Sequence, residues 1–300
     1  RLLSFLAVTF APALAFAQTG YPMVMSLKPT AVQAGSSGEV EFQTRYSMLG
    51  AYQILVSGDG VTGEVLHPEV KAGEKPSLTK MKVKFTADAD AMPGVRDVKM
   101  ATPTGVSTVG QLVVVSDPVI YESGKNNTRE TANEVTLPAT VCGLFEANED
   151  VDYFKFKVEA GQELNFHVRC SRLQDRIHDL QRHADALLTI RNANGSTVVA
   201  SDNHFYGDPF IAHRFERAGE YFIEIRDVRF HGNVYWEYSI EITDRPFVSN
   251  VYPLGIEVGK ETPVELIGTQ LPEQRTVGLT LATDTVVGPT LARAPIGDDK

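Results

Sequence analysis

Three hundred residues, 43% apolar and 22% charged, form a chain able to bury cores and too long for one small sandwich. Two or three domains of ordinary size are expected. The 38 acids outnumber the 28 bases, leaving a net charge of −10 with no concentrated run of Lys and Arg, which argues against nucleic acid as a partner. The acidity suits solubility and is compatible with divalent cations without demanding them.

Residues 1–17 read as a signal peptide: a basic start at Arg1, a short apolar run, and the small-x-small ending Ala15-Phe16-Ala17. The run is shorter than the roughly 20 residues of a membrane span and contains Pro12, so a transmembrane helix is the poorer reading. Export follows, to a secreted, periplasmic or cell-surface location. No Met precedes Arg1, so the chain reads as starting inside a longer one.

Residues 21–118 alternate with period two between Gly, Pro, Asn and Asp breaks, as in Val40-Glu41-Phe42-Gln43 and Met81-Lys82-Val83-Lys84-Phe85. About seven short strands of this kind predict an immunoglobulin-like sandwich. Residues 119–134 are polar and turn-rich, and predict a linker or ligand loop. Alternation returns over 135–243. Phe154, Phe156 and Val158 share a face opposite Lys155 and Lys157, and Trp236, Tyr238, Ile240 and Ile242 alternate with Glu237, Ser239 and Glu241. Each strand is expected to bury one face and wet the other. Between them, Ser171 to Ala184 predicts a short helical turn or a long ordered loop.

Residues 246–300 repeat the first module. Sliding Pro22 onto Pro246 also superposes Pro29 on Pro253, Gly35 on Gly259, Val40 on Val264 and Glu41 on Glu265, without a gap. About half a second immunoglobulin-like sandwich remains before Lys300, so the chain reads as truncated at both ends. The fold class expected is all-β, as tandem β-sandwiches.

The central region resembles the bacterial pre-peptidase C-terminal domain, a jelly-roll-like sandwich found behind many secreted proteases and collagenases. The resemblance rests on Asn126-Asn127-Thr128 with Ala132-Asn133, then Gly143, then Asp152-Tyr153-Phe154-Lys155-Phe156 and Ala160-Gly161-Gln162. It continues through Ala184-Asp185-Ala186-Leu187-Leu188-Thr189-Ile190, Asn194-Gly195, Ser201-Asp202-Asn203 and Ala218-Gly219-Glu220-Tyr221. The first module, with Pro93-Gly94-Val95-Arg96-Asp97-Val98 and Thr102-Pro103-Thr104-Gly105, is similar to the TIG/IPT branch of immunoglobulin-like modules. This arrangement is similar to that of large exported proteins of planctomycete-type bacteria.

The resemblance implies a calcium site. In collagenase relatives the opening segment and the acidic turn before the Asp-Tyr strand bind the ion together. Asp150 and Asp152 point the same way from an extended segment, and Glu122, with Asn126 or Asn127, could add hard oxygens toward a shell of about six to eight. Gly124 stands where the family places an acid, which weakens the expectation. A solvated turn is the alternative. A second polar group, His178, Asp179, His183, Asp185, Asp202, Asn203, His204 and Asp208, would hold zinc if the long loop folded over the Asp202 turn, with loop scaffolding the plainer reading. Cys142 and Cys170 form either a disulfide or two buried thiols. Phe205-Tyr206, Phe222 and Tyr235 are candidates for an exposed aromatic platform, whereas Trp236 and Tyr238 fall on the buried phase.

No Gly-x-Ser-x-Gly elbow and no His-Glu-x-x-His helix occurs, and neither cysteine has a nucleophile's surroundings. The expected function is therefore non-catalytic binding, spacing or presentation at the cell surface. Partners would be an extracellular protein or polysaccharide and the rest of the same polypeptide. The rival expectations are an accessory, substrate-targeting region of a secreted peptidase or other hydrolase, and a purely structural repeat array.

Overall fold

The computed structural model describes residues 20–74, 76–177, 182–286 and 288; the signal-peptide expectation for residues 1–17 lies outside them. The fold is all-β.

The first module carries β1 (Val24–Lys28), β2 (Ala31–Gln33), β3 (Ser37–Thr44), β4 (Gln53–Val56), β5 (Val61–Leu66), β6 (Lys80–Ala87), β7 (Gly94–Thr102), β8 (Gly105–Val106) and β9 (Gly110–Val115). They form two sheets, β1-β3-β6-β5 and β2-β9-β7-β4, with β8 beside β7. Strand β6 shows why: Met81, Val83, Phe85 and Ala87 are buried, while Lys80, Lys82 and Lys84 face water. Phe42, Phe85, Val83, Met100, Leu112 and Val114 fill the space between the sheets.

The central sandwich carries β10 (Val119–Tyr121), β11 (Asn133–Glu134), β12 (Ala139–Leu144), β13 (Val151–Val158), β14 (Glu163–Arg169), β15 (Ala186–Asn192), β16 (Thr197–Ser201), β17 (Phe210–Arg214), β18 (Gly219–Asp227) and β19 (Glu237–Thr243). One sheet has the order β10-β12-β19-β14-β17 and the other β11-β13-β18-β15-β16. Phe154, Phe156, Phe166, Phe215, Trp236 and Tyr238 lie in the core between them. The segment expected to be a linker is part of this sandwich. Strand β10 pairs parallel with β12 and β11 pairs parallel with β13, runs too short to show alternation in sequence. Among the described residues of the segment 171–184, the expected helical turn is α1 (Ser171–Gln174).

The third module carries β20 (Phe247–Tyr252), β21 (Thr262–Thr269) and β22 (Thr276–Leu279) in one sheet. Its pairing reproduces that of the first module. Val24 to Lys28 meet Thr44 to Glu41 with an irregularity between Val24 and Ser26. Val248 to Tyr252 meet Gly268 to Glu265 with the irregularity between Val248 and Asn250. Gly35 and Gly259 both adopt left-handed backbone, at φ 76° and 74°. The copies then diverge. Residues 45–79 carry β4 and β5 in the first module, whereas β21 and β22 are joined by residues 270–275 alone.

Both flanking modules lean on the β10-β12-β19-β14-β17 sheet of the central sandwich. Ala31, Val113 and Val115 pack with Cys142 and Leu173 on one side. On the other, Phe247 stacks on Phe210 at 4.5 Å, and Thr269 Oγ1 donates to Asn165 Oδ1 at 2.7 Å. Asn165 Nδ2 in turn donates to the Arg245 carbonyl at 2.9 Å. The result departs from the expected wet face: every residue of β12 is buried, as are all but one of β19.

Candidate functional site

The residues expected to hold calcium fall into two pairs. Glu122 continues β10, its N–H donating to the Cys142 carbonyl at 2.9 Å, and its Oε1 accepts from Leu144 N–H at 2.9 Å. Its carboxyl is buried against that of Asp152, with which it hydrogen-bonds when one of the two is protonated. Asp152, buried on β13, accepts from the Tyr238 hydroxyl at 2.7 Å. Tyr238 reaches it because Gly143 has no side chain: a Cβ there would sit 2.2 Å from the Tyr238 oxygen and 2.8 Å from Glu122 Oε2. Burial, and then for Asp152 the charge of Glu122, raises both carboxyls above the ordinary range.

Asp150 makes the second pair. Its Oδ1 accepts from Asn127 Nδ2 and its Oδ2 from Glu146 N–H, both at 2.9 Å. Burial raises its carboxyl as well. Asn126 is buried behind this turn; its carbonyl accepts from Tyr153 N–H at 2.8 Å and its Nδ2 has no partner. Among the described residues no three His, Cys, Asp or Glu side chains converge as a metal cage. The donor set is nonetheless of hard oxygen, and Glu122 with Asp152 places two carboxyls together away from water. The fit is to a pair plus flanking groups, not to a preformed shell.

The second polar group does not assemble among the described residues; His178 and Asp179 lie outside them. Asp208 is fully buried and committed elsewhere. Its Oδ1 accepts from Cys170 and Ser171 N–H at 3.1 and 2.6 Å, and its Oδ2 from Arg172 Nε at 2.7 Å, which starts α1. Asp202 Oδ1 accepts from Asn203 N–H at 2.7 Å. Asp185 gives its N–H to Asp227 Oδ2 at 2.9 Å. The scaffolding reading describes these residues.

Both cysteines are free and fully buried. Cys142 lies in the junction cluster and Cys170 in the central core, with Gln174 Nε2 3.4 Å from the Cys170 sulfur. They lie on opposite faces of one sheet, so of the two alternatives they are buried thiols and not a disulfide. Burial pushes the Cys142 thiol up to about 12, which leaves it unreactive at neutral pH.

The aromatics divide. Phe222 is buried, against expectation, beside Arg191 and Lys155 in the pairing of β18. Phe205 belongs to a cluster with His167, His204, Phe210 and Phe247, and the Arg172 guanidinium lies 5.0 Å from its ring centre. Tyr206 stands clear of it, 90% exposed. Burial and the charges of Arg169 and Arg172 lower His167 to about 2, so its ring is neutral. Arg172 Nη2 can only donate, at 2.9 Å, so His167 Nε2 accepts and Nδ1 carries the hydrogen, buried and without an acceptor.

Sequence reasoning missed the clasp between modules. Arg245 forms a two-pronged ion pair with Asp117, Nη1 to Oδ1 at 2.8 Å, joining the residue before the central sandwich to the one after it. A signal was present, since Asp117-Pro118 and Arg245-Pro246 bracket the sandwich with opposite charges. Glu237 was missed too. It is buried at the first junction beside a small cavity of about 20 Å³ that Thr30, Gln111 and Tyr235 also line. Its Oε2 accepts from the Tyr121 hydroxyl at 3.2 Å, its Oε1 has no partner, and burial pushes its carboxyl up to about 8.

No family model matches the chain, and no curated protein does. Among solved structures, it is similar to the pre-peptidase C-terminal domain of a collagenase from Bacillus anthracis, at 12% identity and TM-score 0.31, over 39% of this chain and all of that one. It is also similar to SGBP-B of the Bacteroides ovatus mixed-linkage glucan utilization locus, at 7% identity and TM-score 0.23, over 71% and 72% of the two chains. The secreted serine protease VesC of Vibrio cholerae is similar at 8% identity and TM-score 0.24, with this chain covering half of it.

Proposed function

We propose that the chain is an exported, non-catalytic β-protein that binds or spaces other molecules at the cell surface, its central sandwich held at a set position between two like modules. The observation that carries this reading is the junction: Ala31, Val113 and Val115 pack on Cys142 on one side, the Asn165 contacts and the stacking of Phe247 on Phe210 hold the other, and the Arg245–Asp117 clasp ties the two ends, so that both flanking modules rest against one sheet of the central sandwich. A fixed array suits spacing and presentation, and leaves loops at the sandwich ends for binding an extracellular protein or polysaccharide. Small-angle scattering on residues 20–300 tests it. The wild type should give one compact envelope and Arg245→Ala a longer maximum dimension; a flexible wild-type ensemble would refute the spacing role.

Calcium belongs to the same proposal. Glu122 and Asp152 would hold it, aided by Asp150 and Asn127, and it would neutralise the facing carboxyls and tie β10 to β13. Calorimetric titration of the wild type against Asp150→Ala/Asp152→Ala decides this: heat and a raised Tm in the wild type alone support it, and no heat dismisses it. Among the described residues no helix is long and apolar enough to cross a membrane.

A further inference from the structure

The loop between β16 and β17 is closed by its own backbone hydrogen bonds, yet it displays an aromatic ring that the fold does not use. Phe205 and Asp208 form a β-bridge; His204 and Phe205 N–H donate to the Asp208 carbonyl at 3.1 and 2.9 Å, and Asp208 N–H returns to the Phe205 carbonyl at 3.1 Å. The buried Asp208 carboxylate anchors the loop to α1. At its tip Tyr206 takes left-handed backbone, φ 57°, a conformation that favours Gly or Asn and costs about 1 kcal/mol or more for a bulky residue. Its side chain is 90% exposed and meets no ring or cation among the described residues. Phe230, also left-handed at φ 56°, differs: the Arg226 guanidinium covers it at 3.9 Å. Tyr206 therefore bears a backbone cost with no return from packing.

Its surroundings indicate what the ring meets. Asp202, Asn203 and His204 are exposed on the same loop and offer a carboxylate, an amide and an imidazole. Arg172, whose guanidinium lies 5.0 Å from the neighbouring Phe205 ring, is paired with Asp208. An exposed aromatic ring on a loop that also carries exposed hydrogen-bonding side chains, with Arg172 neutralised by Asp208, matches a neutral sugar ring, whose C–H face stacks and whose hydroxyls bond outward. A protein partner would need a broader apolar surround to exclude water from the anchor, and the neighbouring exposed side chains here are polar.

We infer that Tyr206, with Asp202, Asn203 and His204, forms a binding platform for a neutral polysaccharide. The inference rests on the reading of the chain as a binding protein and names the site and ligand class. Affinity electrophoresis of residues 20–300 through gels containing soluble β-linked glucan, xylan or mannan, with a uronic-acid polysaccharide as the charged comparison, tests it. The wild type should be retarded by at least one neutral polymer. Tyr206→Ala should weaken that binding at least tenfold. Tyr206→Gly should weaken it equally while leaving Tm unchanged or higher, because glycine adopts this backbone freely and the ring makes no fold contact. Wild-type binding undiminished in both variants would overturn the site while leaving a binding role intact. Retardation only by the uronic-acid polymer would overturn the ligand class. No retardation by any polymer, with capture of an extracellular protein instead, would overturn the platform as a sugar site.

Discussion

The two sheets of the central sandwich share a core but treat their outer faces in opposite ways. On the β11-β13-β18-β15-β16 sheet the outer polar groups find partners. Glu224 receives the Tyr153 hydroxyl and both Arg191 Nε and Nη2, and Arg191 continues to the Gly195 carbonyl and Thr197. On the β10-β12-β19-β14-β17 sheet the outer face is covered by the flanking modules. There Thr140 Oγ1, Ser239 Oγ, Glu237 Oε1 and His167 Nδ1 are buried without partners. A water-facing ladder can complete itself with long, mobile charged side chains. A face closed by other modules keeps whatever short polar groups the alternation placed there, and each costs about 1–3 kcal/mol if left unpaired. The difference teaches that this second face is organised for contact between modules, at some expense in stability.

The largest break in that contrast comes from Arg245→Ala. It removes the clasp and strands the mostly buried Asp117, so we expect a loss of about 2–4 kcal/mol and faster amide exchange in β12 and β19 but not in β13 or β18. Uniform exchange in both sheets would show that the clasp does not hold the cover on. On the opposite face, Glu224→Gln weakens the Arg191 and Tyr153 contacts. Burial alone would raise the Glu224 carboxyl, but the Arg191 and Tyr153 hydrogen bonds outweigh it and the net shift is downward. Its contribution is thus present above the unfolded value and lost as pH falls through the folded one. We expect about 1–2 kcal/mol lost at pH 7 in denaturant titration and a smaller difference at pH 3.

Glu237 has the opposite sign. Its folded carboxyl is raised from about 4.5 to about 8, so the folded state binds more protons across that window and stability falls as pH rises through it. Glu237→Gln should raise Tm at pH 8.5 and leave it nearly unchanged at pH 4.5, a difference of about 1–3 kcal/mol. Parallel Tm curves for the two proteins would remove Glu237 as the source. The smallest effect belongs to Thr140→Val, which exchanges a buried unpaired hydroxyl for a methyl of similar shape. Stability should hold or rise by up to about 1 kcal/mol.

The all-β class was legible because Lys80 to Ala87 and Val151 to Val158 alternate cleanly, and the repeat because Pro, Gly and apolar positions survive in both copies. The repeat faded after Leu266 for a topological reason: the strands that follow in the first module, β4 and β5, have no counterpart between β21 and β22. The covered face was illegible because its residues, Glu237, Ser239, Glu241, Asn165 and His167, are those a wet face would carry. Only contacts distant in sequence close it. Of the carboxylates named in advance, the structure places Glu122 with Asp152 and Asp150 with Asn127. The Tyr238 hydroxyl between β19 and β13 was hidden, since alternation marks Tyr238 as core and says nothing of its oxygen. Tyr206 was legible as a loop aromatic, but its left-handed backbone was not.

The clasp has a mechanical consequence. Asp117 and Arg245 stand where the chain enters and leaves the central sandwich, and they hold each other directly. A pull along the polypeptide from the first module to the third therefore meets this ion pair, together with the packing of both flanking modules on the sheet, before it loads the strands of the domain between. The central sandwich is sheltered until that link gives way.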